Sequence, residues 1–234
     1  MSLLLREHSV PLLGPAGHLA KVVSVKDPEH LNRVQIRIYN CDGNTDEDAP
    51  VWARVAVPFA GADRGAFFIP DVGDEVLVVF LSGDARFPVI IGGLWNGSDH
   101  APDQFGGSGD AVDRWTITGK NGSKIAIVEE QRGQETITFS TPAGQKGTLT
   151  DQGGGKIELH QSGGSSITLD TQGVAINAPT GKVTVTAASQ VEVTAAQVKV
   201  TAAMSEFTGI VKCDVLQATT VIATTYTPGA GNVW

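Results

Sequence analysis

Apolar and polar residues alternate along most of the chain, and the alternation takes two forms. Between Gly17 and Trp95 it marks five strands of ordinary mixed composition. Leu19–Lys26 (LAKVVSVK) ends at the turn pair Asp27-Pro28. Arg33–Tyr39 sets Val34, Ile36 and Ile38 against Gln35 and Arg37, a period of two. An acidic loop, Asp42 to Asp48, leads to the third strand, Trp52–Pro58. Asp74–Leu81 (DEVLVVFL) is a nearly continuous apolar run, as in a strand buried on both faces. A Gly83-Asp84 turn then gives way to Pro88–Leu94. Five short strands with no competing helical period predict a small Greek-key barrel such as an OB-fold.

Residues 96–114 are rich in Gly, Asp and Ser and read as a linker. From Trp115 the pattern simplifies to apolar pairs at i, i+2. These are Ile125/Ile127, Ile137/Phe139, Ile157/Leu159, Ile167/Leu169, Val174/Ile176, Val183/Val185, Val191/Val193 and Val198/Val200. Turn or small residues separate them, among them Gly153-Gly154-Gly155, Gly163-Gly164 and Ala187-Ala188. The last five pairs are stepped by 7, 9, 8 and 7 residues, which predicts a chain wound around an axis. Two Val- or Ile-sized side chains per pass are too few for one chain to enclose its own core. Three chains would share one central column and pair every strand edge, whereas a single-chain β-helix needs about 20 or more residues per coil. The expected fold is therefore all-β: an N-terminal barrel, then an intertwined triple-stranded β-helix needle in a homotrimer. Its core would be Ile167, Leu169, Val174, Ile176, Val183, Val185, Val191, Val193, Val198 and Val200, with Thr184, Thr186, Thr194 and Thr201 facing outward. At ~4.8 Å per pass the needle would be on the order of 60 Å long.

Composition narrows the function. Of 234 residues 41% are hydrophobic and 18% charged, which is enough apolar material to fold. A net charge of −8 argues against a nucleic-acid partner, which needs a basic stripe. Cys41 and Cys213 fall in different predicted domains, so no disulfide is expected. Met1 to Leu13 lacks the apolar core of a signal peptide, and no segment is long enough to span a membrane, so synthesis in the cytoplasm is expected. His8, His18, His30, His100 and His160 are scattered, and Asp46-Glu47-Asp48 reads as a solvated loop. Gly153-Gly154-Gly155-Lys156 lacks the Ser/Thr and the strand–helix setting of a phosphate loop. Asn96-Gly97-Ser98 and Asn121-Gly122-Ser123 read as Asn-Gly turns. No nucleophile elbow or carboxylate pair stands out, so neither an enzyme nor a cofactor or metal site is expected.

Trp52–Gly97 resembles a known domain. Trp52-Ala53-Arg54-Val55, Gly65-Ala66-Phe67-Phe68-Ile69-Pro70, Val72-Gly73-Asp74-Glu75-Val76-Leu77-Val78, Phe80, Gly83-Asp84, Pro88 and Gly92 to Gly97 follow in order, preceded by Arg33–Ile38. The succession is similar to the OB-fold of the baseplate assembly protein V (central spike) family of contractile phage tails and of the VgrG spikes of type VI secretion. The repeat beyond residue 115 looks like the needle of these families.

The resemblance implies a membrane-puncturing spike at the centre of a contractile tail or injection system, part of a virion or a phage tail-like particle. It touches the target membrane only on puncture. It divides the chain into 1–17 facing a baseplate hub protein, an OB domain at 18–97, a linker at 98–114, the β-helix at 115–227 and a tip at 228–234. Hub docking falls to Leu3, Leu4, Leu5, Leu12 and Leu13. Docking of a conical PAAR-type tip protein falls to Pro228, Gly229, Asn232, Val233 and Trp234, since the His-x-His motif of self-tipped spikes is absent. Two rival readings are a trimeric fibre that degrades polysaccharide and a carrier spike that binds glycan or an effector.

Overall fold

The computed structural model describes residues 17–39, 49–106 and 108–225. The hub-docking leucines, Cys41, the acidic cluster 46–48 and the tip-docking residues lie outside these. Two units divide the chain, the first running to Lys182 and the second from Val183.

Five strands close into a barrel in the order β1 (His18–Ser24), β2 (Val34–Ile38), β3 (Val51–Val55), β7 (Pro88–Leu94) and β6 (Glu75–Phe80). The two-residue strands β4 (Ala60–Gly61) and β5 (Arg64–Gly65) form a small hairpin outside it. Closure comes from the one parallel contact, where Arg54 and Val55 of β3 face Val89 and Ile90 of β7. It leaves no free edge. Period-two alternation fills the interior with Ala20, Val22, Val34, Ile36, Ala53, Val76, Val78, Phe80 and Ile90. The run in β6 is not buried on both faces as expected. Val76, Val78 and Phe80 enter the core, while Leu77 and Val79 remain half-buried on the barrel's outside. A barrel this small has a single interior.

The β1–β2 loop is built on Asp27. Its carboxylate accepts the amides of Glu29, Leu31 and Arg33, and the Arg33 guanidinium donates to it through Nε (3.1 Å) and Nη2 (2.8 Å). At the β6–β7 turn, the Arg86 guanidinium beside Asp84 holds that carboxyl down at about 2.

Beyond the barrel lies a seven-stranded antiparallel meander. It comprises β8 (Arg114–Thr118), β9 (Lys124–Val128), β10 (Thr136–Ser140), β11 (Lys146–Thr150), β12 (Lys156–His160), β13 (Ser166–Asp170) and β14 (Gly173–Asn177). Three of its connections repeat one geometry. Gly122, Gly144 and Gly164 each donate an N–H to the carbonyl three residues back, at φ of 87°, 86° and 95°. Each is a tight turn closed by a left-handed glycine, which reverses the strand at once. That reversal is why residues 114–177 pair within the chain instead of winding onward with a bend at each pass. Beyond Asn177 no strand forms among the described residues.

Candidate functional site

Strand alternation gives the meander two unlike faces. On one face side chains stack in two columns across all seven strands. The first runs Trp115, Ile127, Ile137, Leu149, Ile157, Leu169 and Val174. The second runs Ile117, Ile125, Phe139, Gly147, Leu159, Ile167 and Ile176. Apart from half-buried Ile127 and the glycine, every member is 41% to 69% exposed. A contiguous apolar face of this size on a sheet marks a surface that another molecule covers. Expected core residues Ile167, Leu169, Val174 and Ile176 belong to it. Val183, Val185, Val191, Val193, Val198 and Val200 lie in the second unit, exposed and outside any strand.

The columns include two strands that the list of apolar pairs passes over. Strand β8 begins one residue inside the predicted linker, at Arg114, and its Trp115/Ile117 pair keeps the i, i+2 spacing. In β11 the pair is Gly147/Leu149, and the glycine hides the pattern. Its place in the column is nonetheless filled, because the Phe139 ring on the adjacent strand lies over Gly147. A glycine beneath an aromatic ring on a neighbouring strand is the available signal.

The opposite face carries Thr116, Ala126, Thr138, Thr148, Glu158, Thr168 and Ala175, which are mainly polar or small. Part of the supposed linker packs there. Asp103 accepts from Lys124 Nζ (2.8 Å) and Thr116 Oγ1 (2.7 Å) and pairs with Arg114 at 3.4 Å. These donors, Lys124 foremost, hold its carboxyl well below the usual range. Arg114 also pairs with Glu130. Ala126 between them is buried, and a cavity of about 590 Å³ opens beside Pro102, Phe105 and Val112. The strap thus packs on the β8–β9 end of the threonine face, and the apolar face stays open. Lys120 on the β8–β9 turn pairs with Asp71 of the barrel segment.

Asn121-Gly122-Ser123 forms the expected turn, and Asn96 Oδ1 accepts the amides of Ser98 and Asp99 at 2.8 Å. Cys213 is an exposed free thiol. Among the described residues no group of three or more His, Cys, Asp or Glu is placed to hold a metal, and no helix is long and apolar enough to cross a membrane.

Two family models match the chain. Residues 18–95 match the type VI secretion system/phage-baseplate injector OB domain, and residues 136–204 match the phage baseplate V C-terminal trimerisation domain. The type VI secretion system spike protein VgrG2a of Pseudomonas aeruginosa is 33% identical over 92 residues, 39% of this chain and 10% of that protein. VgrG4b of the same organism is 30% identical over 112 residues, 47% of this chain and 14% of the relative. VgrG3 of Vibrio cholerae is 35% identical over 75 residues, 32% of this chain and 7% of the relative. The chain therefore spans about a tenth of the length of the curated relatives it matches. With barrel and repeat both matched in the same order, and spike proteins as relatives, the chain belongs to the phage baseplate V and VgrG family of spike proteins.

Proposed function

We propose that this chain is the non-enzymatic, homotrimeric spike at the centre of a contractile-tail baseplate or related injection device, driven into the target envelope when a sheath contracts. The two-column apolar face carries the reading, since it overlaps the stretch matched to a trimerisation domain. Such a face left in water costs free energy, and three copies turned inward about one axis would remove it from water together. Past Lys182 the V-x-V pairs would continue this column as a triple-stranded β-helix built on Val183, Val185, Val191, Val193, Val198 and Val200.

In this reading Leu3, Leu4, Leu5, Leu12 and Leu13 dock on the hub, and Pro228, Gly229, Asn232, Val233 and Trp234 seat a conical PAAR-type cap. Domains then run as 1–17, 18–97, 98–114, 115–227 and 228–234, in a particle assembled in the cytoplasm. The mechanism is mechanical, with axial load spread over many backbone hydrogen bonds. Light scattering on the full chain tests the trimer: the mass should be three times the 24.4 kDa of one chain. Ile157→Asp, which places a carboxylate in the first column, should reduce it to one. A wild-type chain that stays monomeric at micromolar concentration rejects the proposal.

A further inference from the structure

We infer that copies of this chain meet head to tail around the three-fold axis, the acidic lateral edge of one sheet seated on the basic, hydroxyl-bearing edge of the next. This rests on the trimeric reading above and adds which edges touch and in which sense the sheets run.

The two ends of the strands differ in charge. At one end Glu129, Glu135 and Asp151 flank the apolar columns, and the same connections carry Arg132 and, paired with Glu158, Lys156. The amide of Glu129 bonds the Asp113 carbonyl and that of Asp151 the Glu135 carbonyl, which extends the ladder by one residue and puts Glu129, Glu135 and Asp151 on the apolar side, while the Asp113 carboxylate accepts the Gly106 amide of the strap at 3.1 Å. Like charges stacked on adjacent strands repel one another. The Glu135 Oε2 atom is moreover buried without a hydrogen-bond partner within the chain. At the other end the connections 118–124, 140–146 and 160–166 contain no Asp or Glu, nor does the segment 177–182 that leaves β14. They offer Ser123, Thr141, Gln161 and Ser165, together with lysines. Lys120 and Lys124 are engaged by Asp71 and Asp103, which leaves Lys146 and Lys182 to meet a neighbour.

Sheets packed in opposite senses would set acid edge against acid edge. A cyclic arrangement with every barrel at the same end brings unlike edges together at each contact and closes the ring. The partner of this surface is therefore a second copy running in the same direction.

Charge reversal tests the inference on the full-length protein at low salt. E135K/D151K makes both edges basic, and K146E/K182E makes both acidic. Each should raise the half-dissociation concentration of the trimer roughly tenfold or more, and added salt should shrink the effect. The four substitutions combined restore unlike edges and should return the trimer to within about threefold of wild type. E135Q/D151N, which removes charge at constant size, should show a smaller loss with unchanged circular dichroism. Two reversed pairs as stable as wild type, or a fourfold variant no better than the worse pair, would overturn the edge assignment alone. A monomeric wild type would overturn the trimer and this inference with it.

Discussion

Asp27 shows how one side chain fixes a loop. Its carboxylate collects three amides and a two-pronged guanidinium, and the Arg33 guanidinium lies 5.8 Å from the Trp52 ring centroid on β3. The Arg33 hydrogen bonds, with the backbone amides, hold the carboxyl far below its ordinary 3.8. In the folded barrel it therefore stays ionised at a pH where the unfolded chain takes up a proton. Its contribution is complete above 3.8 and is lost as pH falls below that value. Asp27→Asn should lower Tm at neutral pH and flatten the decline of Tm with acid, and melts from pH 6 down to about 2 read both effects. In the sequence Asp27 was legible only as half of a turn pair. Neither its burial nor its hold on Arg33, six positions on, has a local signature.

Among the elements, the meander depends on matching each residue to the ring or turn beside it. A Cβ on Gly147 would collide with the Phe139 ring, so this glycine is a fitted member of the apolar column. Gly147→Ala should cost no more than about 1 kcal/mol, because the half-exposed Phe139 ring can swing aside. Phe139→Leu in the same chain should recover part of that loss, and a double-mutant cycle on thermal or denaturant unfolding measures the coupling. Two large apolar residues at i, i+2 made the strand readable in β9, β10, β12, β13 and β14, whereas the same spacing at Val183/Val185, Val191/Val193 and Val198/Val200 falls where no strand forms. The strand was not readable in β11, where the apolar partner comes from the neighbouring strand. The strap at Asp103 was hidden for a similar reason: its three partners, Arg114, Thr116 and Lys124, lie on strands later in the chain.

For the whole molecule, the decisive fact is the exposed apolar face of the meander. Val193→Asp would place three carboxylates in one shared column of the proposed needle. It should abolish the trimer mass in light scattering while Trp fluorescence reports an intact barrel. A trimer of unchanged mass would sink the shared-column arrangement. The sequence by itself determined the all-β class, the five barrel strands to within a few residues, and the two-residue apolar period of the repeat. All are local consequences of backbone pleat and turn chemistry. Only the tertiary structure decided that β3 and β7 close the barrel in parallel and that 114–177 folds back on itself as a meander. It also decided that the strap packs on the threonine face at β8 and β9, while the apolar face stays open. Those outcomes depend on which distant segments pair, and strand period alone does not specify a partner.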